Sequence, residues 1–180
     1  MKKTLALAVT AAFLATPAFA ADVKIGVLLG FTGPIESLTP DMASGAELAM
    51  KEASDSSAFM GGSKIISVRG DSTCVDAAAA TATAERLITA DGVSAIMGAD
   101  CSGVTTAVLQ NVALAKGVVM ISPSATSPAL STVEDNGLFF RTSPSDARQG
   151  QVLAKILKEK GVKSAASSYT NNDYDKGLAA

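Results

Sequence analysis

The sequence predicts an α/β fold, a doubly wound parallel sheet, and three observations predict it. Short runs of Val, Ile and Leu alternate with longer stretches whose apolar residues recur at helical spacing, the order expected of βαβ units. Apolar residues make up 48% of the chain and aromatics only 4%, which suits a helix-covered sheet better than a β-sandwich. The 180 residues, once a leader is set aside, are enough to bury one ordinary core.

Residues 1–20 read as a secretory signal peptide. Lys2 and Lys3 give a positive start, residues 5–15 an apolar run, and Ala18-Phe19-Ala20 a small-x-small cleavage site, so mature protein is expected to begin near Ala21. The apolar run is too short to cross a bilayer, and Thr16-Pro17 interrupts it. No later segment has the long uncharged run of a spanning helix, which places the remainder beyond the inner membrane, in the periplasm.

Val23–Leu29 (VKIGVLL) is the first strand, followed by a Gly-Pro loop over 30–38. Thr39 suits an N-cap and Pro40 the first turn of a helix in which Ala46, Ala49, Met50 and Ala53 recur at helical spacing. Gly61-Gly62 turns the chain into a strand over 65–68. Residues 76–89 read as an alanine-rich helix, 93–97 as a strand, 104–115 as a helix, and 118–121 and 138–141 as strands. A helix over 147–160 carries Leu153, Ile156 and Leu157 on one face, and 163–169 reads as the last strand. Asn171-Asn172-Asp173 has the composition of a helix start seven residues before the last one, so the chain is expected to be cut within a longer protein.

In a doubly wound sheet ligands bind beyond the carboxyl ends of the strands, which here means the loops 30–38, 98–103 and 122–128. GFTGP lacks the Gly-Lys-Ser/Thr ending of a phosphate loop, and GADCSG is not the G-x-G-x-x-G fingerprint, so no cofactor is expected. The absence of histidine excludes a Ser-His-Asp triad and most zinc sites; no metal is expected. Ser102 has Asp100 and Lys116 close in sequence, but no motif places either as its base, so the chain is not read as an enzyme. Removing the leader takes Lys2 and Lys3 and no acid, deepening the net charge from −2 to −4; nucleic acid is not an expected partner. Cys74 and Cys101 are an even pair in an exported chain and read first as a disulfide, with a redox pair or metal ligands as the rival readings. The loops after 98 and 122 supply hydroxyls and free N–H groups at helix starts, which hold a carboxylate well but also merely cap helices in any protein.

The order VKIGVLLGFTGP, GAELAM, GGSKI, Cys74, LITADGVSAIMG, CSG and MISPSATSP resembles the periplasmic leucine/isoleucine/valine-binding family over essentially the whole mature chain. The resemblance implies a lobe of the type I periplasmic binding fold, with residues 21–141 as the N-terminal ligand-binding lobe and 142–180 as a truncated start of the second. It also implies a disulfide between Cys74 and Cys101. The family grips a ligand's α-carboxylate and α-ammonium through positions that map onto Ser102, Ala125 (through its backbone) and Thr126, with Tyr174 covering the ligand from the other lobe. This chain departs from the family's pattern at Leu38, where relatives often carry an aromatic, and at Asp100, which could meet a cationic or hydroxylated group or face water; both bear on selectivity. Asp175 stands where a glycine usually follows Tyr174. The function implied is that of a monomeric substrate-binding protein of an ABC importer, delivering an amino acid or related small carboxylate to a permease in the inner membrane. The alternative is a ligand-sensing module of the same fold that controls a regulator.

Overall fold

Residues 21–180 are described by the computed structural model; the leader expected over 1–20 lies outside them. Five strands, β1 (Val23–Leu29), β2 (Ile65–Asp71), β3 (Ala95–Gly98), β4 (Val119–Ser122) and β5 (Phe139–Arg141), form one parallel sheet in the order β2-β1-β3-β4-β5. Helix α1 (Thr39–Asp55) links β1 to β2, and α2 (Ala77–Thr89) links β2 to β3. Helix α3 (Ser102–Val108) runs through a π-helical turn, Leu109–Ala113, into α4 (Leu114–Lys116) before β4 begins. After β5 come α5 (Asp146–Glu159) and α6 (Asp173–Ala179).

Successive side chains of a strand point to opposite faces, so β1 divides the core in two. Leu28 packs with Ala80, Ala84 and Leu87 of α2 and with Val104 and Val108 of α3. Val27 and Leu29 face the other way and meet Ala43, Met42 and Met50 of α1. Leu28 and Leu87 are both fully buried, a transfer worth about 1.5–3 kcal/mol each. The register sets Val27, Met97, Ile121 and Phe140 in one row across the sheet. At its far end Ile121 and Phe140 remain 42% and 53% exposed.

β3 ends on a glycine whose backbone conformation the packing requires. Gly98 has φ +137°, and a Cβ there would lie 2.0 Å from the Leu28 carbonyl oxygen, so only glycine lets the β3 terminus lie against β1.

Several expectations are corrected. Thr39 is not the N-cap of α1: Leu38 takes that position without a side-chain bond, and the Thr39 hydroxyl donates to the Gly30 carbonyl at 3.0 Å. Ala49 points to solvent, whereas Ala46, Met50 and Ala53 lie partly buried on the side of the helix that also carries Ala43 and Ser54. β2 continues past Val68 to Asp71, because Arg69 is compensated by a two-pronged bond to Glu47, from Nε to Oε1 and from Nη2 to Oε2, each 2.7 Å. The segment 163–169 forms no strand and is exposed throughout. Of its residues only Tyr169 is β-prone, and none has a neighbouring strand to pair with; a strand exists only in a ladder.

Candidate functional site

Strand order reverses between β1 and β3, the chain adding β2 on one side of β1 and then β3, β4 and β5 on the other: the segment after β1 leads to α1 on one face, and that after β3 to α3 on the other. This is the switch point at which a crevice opens beyond the strand ends. Asp100, two residues beyond β3, is 2% exposed. Its Oδ2 accepts from the Gly30 N–H at 2.6 Å, and its Oδ1 accepts from the Ser72 hydroxyl at 3.1 Å and the Cys101 N–H at 2.9 Å. The Ser124 hydroxyl donates to the Asp100 carbonyl at 2.9 Å. One buried residue therefore ties together the loops that follow β1, β2, β3 and β4. The reading of Asp100 as facing water is corrected: its carboxylate is turned inward to the loops.

Cys74 and Cys101 form a disulfide that joins the loop after β2 to the N-cap of α3. Ser102 is the first residue of that helix and is 2% exposed. Its Oγ accepts from the Ser127 N–H at 3.1 Å. Residues at the start of a helix have no intrahelical acceptor for their N–H groups, which places partial positive charge at Ser102, Gly103 and Val104.

The β4 loop is bonded throughout. The Ala125 N–H donates to the Ser122 hydroxyl oxygen at 3.0 Å, and the Ala125 carbonyl accepts from Arg141 Nη1 and the Ser143 hydroxyl, both at 3.3 Å. Arg141 Nη1 also donates to the Ser127 carbonyl at 2.9 Å. The Thr126 hydroxyl donates to Asp146 Oδ2 at 2.7 Å, while the Asp146 N–H donates to the Thr126 carbonyl at 3.0 Å. Thr126 and Asp146 line an open groove of about 480 Å³ that continues along α5 past Arg148, Gln149, Val152 and Ile156.

Ser102, Ala125, Thr126 and Asp100 thus belong to one bonded rim. Leu38 and Tyr174 do not join it by hydrogen bonds among the described residues, and both are largely exposed, at 56% and 44%. Tyr174 sits on α6, which packs on the β4 loop: a Cβ on Gly177 would lie 2.5 Å from Pro128 Cδ. The first loop is pinned separately by Asp71, which accepts from the Thr32 hydroxyl at 2.6 Å. Burial pushes the Asp71 carboxyl up, but bonds from the Thr32 hydroxyl and from the N–H groups of Thr73, Thr32 and Phe31 outweigh it and leave it below its ordinary value.

Sequence reasoning missed Arg141 and Asp146. Arg141 was visible only as a cation closing an apolar strand. Asp146 follows Ser145 at a helix start, where an acidic residue reads simply as favourable to the dipole. Among the described residues no cluster of three or more His, Cys, Asp or Glu side chains could hold a metal, and no helix is long and apolar enough to cross a membrane.

A family model described as periplasmic binding protein matches residues 22–180. The chain is 32% identical to the Leu/Ile/Val-binding protein of Citrobacter freundii over 167 residues, 92% of this chain and 44% of that one. It is 32% identical to the Leu/Ile/Val/Thr-binding protein of Salmonella typhimurium over 178 residues, 98% of this chain and 47% of that one. The chain thus spans less than half the length of the curated relatives it matches. Among solved structures it resembles the branched-chain amino acid transporter substrate binding protein LivJ of Streptococcus pneumoniae in complex with isoleucine. There the TM-score is 0.76 and the identity 31%, covering 88% of this chain and 44% of that one. A Rhodopseudomonas palustris solute binding protein in complex with 4-hydroxybenzoate shares the fold at TM-score 0.74 and 21% identity, covering 89% of this chain and 42% of that one. The sheet order, the switch-point rim and these matches together assign the chain to the periplasmic binding protein family, as a counterpart of the N-terminal portion of its leucine/isoleucine/valine-binding members.

Proposed function

We propose that the chain is part of the extracytoplasmic substrate-binding protein of an ABC importer, and that it takes an amino acid or related small carboxylate in a cleft between two lobes. Residues 21–141 supply the first lobe and 142–180 open the second. The observation that carries the reading is the start of α3: the Ser102 hydroxyl and the first N–H groups of the helix lie together at the switch point, where donors without a competing full charge suit a carboxylate. The relative solved with isoleucine supports an amino acid as the ligand, and the one solved with 4-hydroxybenzoate supports including aromatic acids in any screen. Export through the leader would deliver the protein to the periplasm. There a ligand that favours the closed arrangement of the lobes would present that arrangement to a membrane permease, with no bond made or broken.

A thermal-shift screen of the full gene product against amino acids, small amides, organic acids and aromatic acids tests this. A ligand at 100 times its dissociation constant should add about 2.7 kcal/mol of stability, an easily visible rise in Tm. For an amino acid the rise is expected to fall to about half in Thr126→Ala, as an affinity weaker by about tenfold requires. A protein whose melting point no small solute moves is not a receptor of this kind.

A further inference from the structure

The two hydroxyls of the rim have opposite polarity. A hydroxyl offers one proton and two lone pairs. The Thr126 proton is committed to Asp146 Oδ2 at 2.7 Å, so only its lone pairs remain for another molecule. The bond is not incidental: the Asp146 N–H donates back to the Thr126 carbonyl at 3.0 Å, and Asp146 is 6% exposed. Ser102 is the complement. Its Oγ already accepts from the Ser127 N–H at 3.1 Å, and among the described residues nothing accepts its proton.

We propose that Asp146 is a positioning residue for ligand recognition: by holding the Thr126 proton it makes that hydroxyl an acceptor for a ligand's α-ammonium group. The carboxylate then falls to Ser102 and the N-terminus of α3. This rests on the reading of the chain as an amino-acid receptor and adds a residue to it. Asp146 need not touch the ligand, since its effect passes through Thr126. Were Asp146 only an acidic first residue of α5, its removal would weaken the helix start and leave ligand choice unchanged.

The test is titration calorimetry of the full gene product against the twenty common L-amino acids, each paired with its desamino carboxylic acid. At least one amino acid should bind, with its desamino partner weaker by about tenfold or more, the loss expected when a charged hydrogen bond goes unmade. Thr126→Val, which keeps the shape and removes the oxygen, should weaken the amino acid about tenfold and the desamino acid by less than about threefold. Asp146→Ala should cut the preference for the amino acid about fivefold or more, whereas Asp146→Asn, which keeps an oxygen to accept the Thr126 proton, should hold it within about threefold of wild type. Equal losses on both ligands in Thr126→Val would show the hydroxyl meeting the carboxylate and overturn the proposal. So would a preference unchanged in Asp146→Ala, or one lost equally in Asp146→Asn. Should Asp146→Ala fail to fold, the other two variants decide. Binding of amino acids by wild type, with the predicted preference absent in every comparison, sinks this inference alone; binding of none of them sinks the amino-acid receptor as well.

Discussion

Asp100 shows how a residue can be conspicuous in the sequence for one reason and matter in the fold for another. Preceding Cys101 in a loop at the strand ends, it reads as a group that meets a ligand. Folded, its two carboxylate oxygens receive three donors from three loops and are hidden from solvent. Local sequence cannot reveal this, because the donors lie 70 and 28 residues away, on Gly30 and Ser72, and only the sheet order brings them near. Asp100→Ala would leave the Gly30 and Cys101 N–H groups and the Ser72 hydroxyl without their partner. At about 1–3 kcal/mol for each buried group left unsatisfied, a loss of about 3 kcal/mol or more is expected, measured as a lowered urea midpoint at unchanged slope. Ser102 and Thr126 were legible as polar residues at helix starts; which of them donates was not, since that depends on Ser127 and Asp146.

Among elements, β1, α2 and the start of α5 follow closely from apolar spacing and capping residues. Asp76, for instance, caps α2 by accepting from the N–H groups of Ala78 and Ala79 at 2.9 and 3.0 Å. The opening of α1 was harder, because Thr39 is a suitable cap by type, yet its hydroxyl serves the Gly30 loop. Apolar spacing alone ends β2 at Val68, because Arg69 breaks the run; the compensation comes from Glu47 on α1, with the guanidinium also lying 5.3 Å from the Phe31 ring centroid. The Cys74–Cys101 bond fastens two such elements, the loop leaving β2 and the cap of α3. Replacing both cysteines with serine should lower stability by about 3–4 kcal/mol in the chain-entropy model, and reductant should lower the wild-type Tm but not that of the variant.

For the molecule as a whole, burial is uneven. The sheet and α2 and α3 share a closed core, whereas α5 presents Val152, Leu153 and Ile156 to solvent, each more than 40% exposed, and the row across the sheet ends on bare Ile121 and Phe140. The amphipathic pattern of α5 was legible, but the pattern says only that a partner is required, and no described element covers that face. The same lack of a neighbour explains why 163–169 is not a strand. Hydrogen exchange should reflect the difference: amides of β1 and β3 are expected to exchange orders of magnitude more slowly than those of α5 and α6, since few buried contacts hold the latter. Equal protection across all of these elements would contradict this division.

The cysteine bond also has a topological consequence. Its partners are 27 positions apart, and the ring it closes contains the whole of α2 and β3. A peptide bond hydrolysed anywhere between Cys74 and Cys101 therefore releases no fragment: the two pieces stay covalently joined and migrate together in a non-reducing gel. Such a nick would show itself only when thiol is added.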